Sequence, residues 1–193
     1  MTSYKIAILV GSLRKDSLNR RVAQSLCAFA GERLNCDIVN IGKLPLYNQD
    51  SDDSPPPEYV AFRDEIGRAD GVLFVTPEYN RGMPGVLKNA IDVGSRPYGK
   101  SVFNQKPAAI VSASPGSIGG ALANHQVRQS CVFLNMPVMQ HPEAYLGRVS
   151  DDSFDDDGCL KDGPLKELII GLANAFGDWV HLISESRRLL AAR

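Results

Sequence analysis

The sequence predicts an α/β fold, a doubly wound sheet of about five parallel strands with helices on both faces. Three short runs of β-branched and aliphatic residues carry this prediction, and segments with helical periodicity lie between them. In the runs the apolar positions are continuous and do not alternate with polar ones, which is typical of strands covered on both faces. The alternation of strand and helix then indicates right-handed crossovers between parallel strands.

The predicted strands comprise three strong segments and two weaker ones. The strong segments are Tyr4–Val10, Gly71–Thr76 and residues 108–112. The weaker ones are residues 37–41 and 137–140. The first helix is predicted from an apolar residue at every third or fourth position after a Ser/Asn start. Its apolar residues are Leu18, Val22, Leu26 and Phe29, and the other helices are expected at residues 84–93, 120–135 and 164–190.

Length and composition favour one globular unit. At 193 residues the chain is too short for two full-sized domains, so we expect a single domain spanning residues 1–193. Hydrophobic residues at 44% and charged residues at 22% exclude a largely disordered or fibrous chain. The polar segments 49–57 and 150–163 are expected to be solvated loops within this domain.

Charge and cysteine usage exclude several kinds of partner and site. With 21 Lys+Arg against 22 Asp+Glu, the chain has no excess of cations to displace counterions from phosphates, so we expect no nucleic-acid partner. The 4 cysteines are scattered, which excludes a zinc site or a disulfide framework. We see no signal-peptide pattern and no apolar run long enough for a bilayer, so we expect a cytoplasmic protein without a membrane partner.

The loop after the first strand has the composition of a phosphate cradle. Gly11 permits a tight exit from the strand, and Ser12, Ser17 and Asn19 supply neutral hydrogen-bonding groups at the start of a helix. Arg14 can add a charge-assisted contact. The alternative is that Ser17 only caps the helix and Arg14 is a surface charge. The loop matches neither a Walker A sequence nor a G-x-G-x-x-G dinucleotide fingerprint.

Two further loops follow strong strands, and the carboxyl ends of such strands are where ligands bind in open α/β sheets. Pro77 and Pro84 restrict the backbone of the second loop, so that its N–H groups can face the polar edge of a flat ring. The alternative is an ordinary strand-to-helix turn, with Tyr79 half-buried and Glu78 in solvent. The third loop, residues 112–120, is rich in Ser and Gly and lets a planar ligand approach the backbone. It lacks the G-x-S-x-G pattern of a hydrolase.

These loops closely resemble those of the NAD(P)H-dependent FMN reductase family, and within it most closely the bacterial chromate and quinone reductases. The resemblance rests on Gly-Ser-Leu-Arg at 11–14, Pro-Glu-Tyr-Asn at 77–80 and Pro-Gly-Val-Leu-Lys-Asn-Ala-Ile-Asp at 84–92, followed by Ser95 and Arg96. It implies a flavodoxin-like sheet and an enzyme that passes electrons from NADH or NADPH through FMN to soluble acceptors. Quinones, azo dyes, nitroaromatics, ferric complexes and chromate are such acceptors.

The resemblance also implies where FMN binds. The phosphate is expected at the first loop, the edge of the isoalloxazine ring at the backbone of the second loop, and the border of the ring at the third loop. The residues concerned are Ser12, Arg14, Ser17, Leu18, Asn19, Pro77, Glu78, Tyr79, Asn80, Ser114, Gly116 and Gly119. None of these loops offers a group placed for a covalent flavin linkage, so we expect FMN to be held non-covalently. The family further implies a homodimer or homotetramer.

Several alternatives stay open at this point. The second functional hypothesis is a flavodoxin-type electron carrier, although Arg14 and the net charge of -1 favour the enzyme. Arg81, Arg96 and Arg128 could bind an anionic acceptor or the 2′-phosphate of NADPH, or could be surface charges. The loops contain no His or Cys, so we expect the flavin to carry the chemistry without a catalytic side chain.

Overall fold

The computed structural model describes residues 3–191, and its centre is a five-stranded parallel sheet. The strands are β1 Tyr4–Val10, β2 Leu34–Val39, β3 Gly71–Thr76, β4 Ala108–Ala113 and β5 Ala144–Leu146. They lie in the order β2-β1-β3-β4-β5, and each neighbouring pair is parallel. This is the order of the flavodoxin-like doubly wound fold, so the predicted fold class is confirmed.

Five helices cover the two faces of the sheet. They are α1 Leu18–Phe29, α2 Pro57–Gly67, α3 Gly85–Gly94, α4 Ala121–Phe133 and α5 Pro164–Ala191. Helices α1 and α5 pack on one face, and α2, α3 and α4 pack on the other.

Strand β1 shows why the strand sequences are apolar without alternation. Ile6 and Ile8 face the core beneath α1 and α5, whereas Ala7 and Leu9 face the core beneath the other three helices. Successive side chains point to opposite faces of a strand, and here both faces are buried. Each of these four residues is at most 2% exposed.

The predicted fifth strand was wrong in position. Residues 137–140 touch β4 only at its start, through a bridge between Val138 and Ala108. The chain then passes the carboxyl half of β4 again, where Ala144–Leu146 pairs with residues 111–113. A strand of three residues is too short to produce a periodicity signal, which is why the sequence did not indicate it.

The region between β1 and β3 also differs from the prediction. The second strand spans Leu34–Val39 and not residues 37–41. It lies at the edge of the sheet, so Asn35 and Asp37 are exposed and interrupt its apolar pattern. Helix α2 was missed altogether. It follows a run of prolines, and its buried side chains, Tyr59, Phe62 and Ile66, have helical spacing.

The acidic segment 150–163 is only partly solvated. Most of its side chains are exposed, but Phe154 and Leu160 are at most 4% exposed and form a backbone bridge with each other. The Leu160 N–H donates a hydrogen bond of 3.0 Å to Ser25 Oγ in α1. The segment therefore folds onto the core beside α1. Across residues 3–191, no helix combines the length and the apolar character needed to cross a membrane.

Candidate active site

The three predicted ligand loops meet at the carboxyl edge of the sheet, next to the point where strand order reverses between β1 and β3. They border a partly open cavity of about 110 Å³. Most of the residues predicted to bind the cofactor line this cavity, and two residues that the sequence did not indicate complete it. The lining residues are Ser12, Arg14, Ser17, Leu18, Asn19, Pro77, Glu78, Tyr79, Ala113, Ser114 and Pro115. Asn80, Gly116 and Gly119 lie outside this lining.

The floor of the cavity is polar and buried. Ser12 and Ser17 are 5% and 2% exposed, although their hydroxyl groups are hydrophilic. Ser17 is the N-cap of α1, and its Oγ accepts a hydrogen bond of 3.2 Å from the Arg20 N–H. Ser17 therefore caps the helix and also lines the cavity. The first turn of α1 also leaves backbone N–H groups without intrahelical partners, which favours an anion at this end of the helix.

Asn19 carries the clearest sign that this cavity takes a ligand. Its Nδ2 donates a hydrogen bond of 3.0 Å to the Ala113 carbonyl at the end of β4, which fixes the orientation of the amide. Its Oδ1 is buried and has no hydrogen-bond partner among the described residues. A buried acceptor without a donor is energetically costly. A hydroxyl or amine group of a ligand could supply the missing hydrogen bond.

Arg14 stands exposed at the mouth of the cavity. Within residues 3–191 its side chain forms neither an ion pair nor a hydrogen bond, so its guanidinium group is free to meet an anion. A larger open cleft of about 730 Å³ adjoins the cavity and shares Arg14, Ser17, Leu18 and Pro115 with it. Pockets that enclose a drug-sized ligand usually measure about 300–1,000 Å³. The smaller cavity thus suits one end of a ligand, and the remainder would lie in the larger cleft.

FMN is compatible with these features. Its phosphate is an anion of the kind that a helix N-terminus, buried serines and a free arginine favour. Its ribityl chain carries hydroxyl groups, which are donors of the type that Asn19 Oδ1 lacks. The residues that line the cavity therefore fit FMN.

The second loop is a tight hairpin. Tyr79 and Gly82 exchange two backbone hydrogen bonds of 3.0 Å each, and Asn80 and Arg81 between them have φ angles of 51° and 65°. Two consecutive positive φ angles are typical of a type I′ turn, which normally prefers Asn and Gly. The turn carries Asn80 away from the cavity lining and leaves the Tyr79 ring 50% exposed beside it.

Glu78 has a structural role that sequence reasoning missed. One of its carboxylate oxygens accepts hydrogen bonds from the N–H groups of Leu122 (2.9 Å) and Ala123 (3.2 Å) in the first turn of α4. The N-cap residue of that helix is Gly120, which has no side chain with which to do this. The carboxylate is therefore an external cap that joins the second loop to the end of the third. The separation of 44 residues hides this contact from any local pattern.

The third loop packs firmly against the chain that follows it. A Cβ at Gly119, where φ is +65°, would lie 2.6 Å from the Tyr145 carbonyl carbon. The Ser114 N–H donates to the Leu146 carbonyl at 2.9 Å, and the Arg148 N–H donates to the Gly116 carbonyl at 3.1 Å. Gly119 thus serves close backbone packing on its own chain. Gly116 has open space around its α-carbon, apart from Ser114 Oγ at 3.5 Å.

The three arginines left open by the sequence have different surroundings. Arg128 donates to Asn124 Oδ1 (3.1 Å) and to the Met139 carbonyl (3.2 Å), which favours a structural role. Arg96 lies over the Tyr47 ring at 5.8 Å, and Arg81 lies 3.7 Å from the Glu78 carboxylate.

Comparisons with known proteins agree with this geometry. The family model for NADPH-dependent FMN reductase matches residues 4–151. The chain is 57% identical over 180 residues to a quinone reductase of Pseudomonas putida, across 93% of this chain and 96% of that protein. It is 43% identical over 178 residues to a 2-hydroxy-1,4-benzoquinone reductase of a Burkholderia species, across 92% of this chain and 97% of that protein. Among solved structures, it is similar to FerB, a flavoenzyme NAD(P)H:(acceptor) oxidoreductase from Paracoccus denitrificans. In that comparison the TM-score is 0.88 and the identity 39%, with coverage of 92% of this chain and 97% of the other.

Proposed function

Because the chain belongs to the NADPH-dependent FMN reductase family, we propose that this oxidoreductase reduces quinones with electrons from NADH or NADPH and that its FMN lies in the three-loop cavity. When bound, FMN supplies a ring that accepts hydride from the nicotinamide and later passes electrons to the acceptor. The observation that carries the assignment of the site is that Asn19 lines that cavity and that its buried Oδ1 has no hydrogen-bond partner among the described residues.

The first loop would hold the phosphate end of the cofactor. Ser12 and Ser17 offer hydroxyl groups in a buried position, and Leu18 and Asn19 begin the helix whose N-terminus favours an anion. Arg14 would add a charge-assisted hydrogen bond from the exposed side. The same loop would exclude water from the buried serines once a ligand covers them.

The backbone of Pro77, Glu78, Tyr79 and Asn80 would position the edge of the ring. Pro77 has no N–H and the N–H of Tyr79 is bonded to the Gly82 carbonyl, so the N–H groups of Glu78 and Asn80 would stabilise negative charge on a ring held beside them. Ser114 and Gly116 would border the ring on the other side. The Glu78 carboxylate already accepts two backbone hydrogen bonds from α4, which supports our proposal that it does not act as a general acid or base.

The finer features of the proposal concern acceptors, assembly and location. The names of the relatives favour quinones, and we extend the proposal to chromate, azo and nitro compounds and ferric complexes, which the resemblance implies. A homodimer or homotetramer is supported by Val132 and Phe133, which are 75% and 83% exposed at the end of α4. The free, scattered cysteines support a cytoplasmic location.

One experiment on the purified protein tests the function and the cofactor together. We expect the visible absorption bands of oxidised flavin, release of all the flavin into solution on denaturation, and NAD(P)H oxidation that depends on added benzoquinone. Flavin retained on the precipitated chain would contradict non-covalent binding. A protein that binds flavin but oxidises no NAD(P)H would instead indicate the flavodoxin-type carrier.

A further inference from the structure

The open cleft beside the cofactor cavity is richer in cations than the chain as a whole. It measures about 730 Å³ and shares Arg14 and Ser17 with the cavity. Four of its twelve lining residues are Lys or Arg, although the chain has a net charge of -1. Beyond the shared residues, its cations are Lys15, Arg20 and Arg21. The cleft therefore favours negative charge next to the place proposed for the flavin phosphate.

Two of these cations have no partner within residues 3–191. The side chains of Lys15 and Arg20 are exposed and form neither an ion pair nor a hydrogen bond there. Arg21, by contrast, is already paired with Asp151 at 2.9 Å. Asp16 is the other acid of the cleft, and within the same residues it forms no ion pair. Lys15 and Arg20 are thus left to meet an anion from outside the chain.

A buried hydroxyl group marks the border between the cavity and the cleft. Ser17 lines both, and it is only 2% exposed. Its Oγ accepts a hydrogen bond from the Arg20 N–H, but its own O–H proton is donated to no acceptor among the described residues. A buried donor without an acceptor is costly, so an anion at this border would gain a hydrogen bond. The hydroxyl is therefore placed to bind a phosphate where cavity and cleft meet.

We propose that the cleft binds the adenylyl phosphate of a flavin dinucleotide, so that the protein accepts FAD as well as FMN. This inference rests on the proposed function, which places the flavin phosphate at the first loop. In FAD the second phosphate is joined to the first through one shared oxygen, so it must lie directly beside the place of the first. The residues common to the cavity and the cleft are in that position, and the unpaired cations of the cleft lie beyond them.

The charge and the size of the cleft fit the added half of such a ligand. Arg14 would bind the first phosphate, and Lys15 and Arg20 would bind the second through charge-assisted hydrogen bonds. The adenosine would lie against apolar atoms of the cleft, which Leu18 and Pro115 supply. The volume of about 730 Å³ is within the range of about 300–1,000 Å³ that is usual for pockets that bind small ligands. FMN alone would leave Lys15 and Arg20 without an anion.

The electron donor is the other ligand with an adenylyl group. NADPH carries a 2′-phosphate, which Lys15 and Arg20 could recognise instead. Its nicotinamide has to lie on the flavin ring, which we place at the second and third loops, whereas the cleft extends from the first loop. A covalent bond fixes where the second phosphate of FAD lies, and no such bond brings the 2′-phosphate of NADPH to the cleft. The observations therefore favour FAD, and a binding experiment separates the two ligands.

Calorimetric titration of the apoprotein with FMN and, separately, with FAD tests the proposal. We expect the Kd for FAD to lie within about tenfold of the Kd for FMN. Replacing both Lys15 and Arg20 with Ala should raise the ratio of the FAD Kd to the FMN Kd by at least about tenfold, because charged hydrogen bonds to the second phosphate alone are lost. Arg68→Ala is the matched control and should keep the wild-type ratio, because Arg68 is exposed but lines neither the cavity nor the cleft.

Weaker binding of FAD than this, or a smaller change of the ratio in the double variant, would overturn the proposal. A higher KM for NADPH but not for NADH in the FMN-loaded double variant, with the ratio unchanged, would assign the two cations to the electron donor instead. The wild-type titration decides the proposal even if the double variant fails to fold. Failure of FMN to bind would contradict the proposed function as well, whereas binding of FMN without FAD would contradict this inference alone.

Discussion

Replacing Arg14 with Ala tests the assignment of the phosphate end directly. Arg14 forms no ion pair or hydrogen bond within residues 3–191, so its removal takes no interaction from the folded chain. The whole effect should therefore appear in cofactor binding. A hydrogen bond to a charged group contributes about 1.5–3 kcal/mol. That loss corresponds to a rise in Kd for FMN of about 10- to 150-fold, and exposure of Arg14 to solvent favours the lower end of the range.

The assay is a titration of apoprotein with FMN, followed by quenching of flavin fluorescence. Arg68→Ala is the matched control, because Arg68 is also an exposed arginine without a side-chain partner within residues 3–191, and it lines neither the cavity nor the adjoining cleft. We expect the control to bind FMN nearly as wild type does, and both variants to keep the wild-type far-UV spectrum. An unchanged Kd in Arg14→Ala, or an equal loss in both variants, would refute the placement of the phosphate at this loop.

Three further results follow from the same geometry. Turnover should be ping-pong, with parallel double-reciprocal lines at several NAD(P)H concentrations, because we propose that donor and acceptor use the same open face of the ring in turn. Intersecting lines would indicate a ternary complex. Glu78→Gln keeps an oxygen that can accept the hydrogen bonds from the N–H groups of α4, and it should retain at least about a tenth of kcat. Glu78→Ala should lower Tm by about 2–4 °C, because the cap of α4 is lost. A far larger loss of kcat in Glu78→Gln with FMN still bound would reveal a catalytic carboxylate. Gly119→Ala should destabilise the apoprotein by more than about 1–2 kcal/mol, because φ is positive there and a Cβ would meet the Tyr145 backbone. Gly116→Ala, with open space, should stay within about 0.5 kcal/mol in thermal melts, and equal effects of the two changes would contradict the packing described.

The parts of the fold that the sequence predicted are those with strong local signals. β1, β3 and β4 are buried on both faces, so their apolar runs are nearly uninterrupted. Strand β2 has one partner and solvent on its other edge, and β5 has only three residues. Their positions depend on pairing with distant segments, which no local pattern records. The same reason explains why the strand predicted at residues 137–140 was displaced.

In the candidate site, too, local motifs predicted the positions of some residues and missed the contacts between distant ones. Ser12, Ser17 and Asn19 are adjacent in sequence to the strand that places them, so a motif was enough to indicate their position. The capping of α4 by Glu78 and the packing of Gly119 on Tyr145 join residues far apart in the chain. Sequence reasoning placed Gly119 beside the ligand, and Glu78 either beside the ligand or in solvent. The structure adds that both also hold the loops in place.

The bonds between the loops have a consequence for how a ligand is received. Asn19 ties the first loop to the end of β4, Glu78 ties the second to α4, and Ser114 ties the third to Leu146. These bonds join the chain to itself and need no ligand atom, so they order the loops when the chain folds and reduce the entropy that is lost when the cofactor binds. Such preorganisation raises affinity without any additional contact. Because the same bonds do not involve the cofactor, the apoprotein should keep the arrangement of the three loops and bind FMN again.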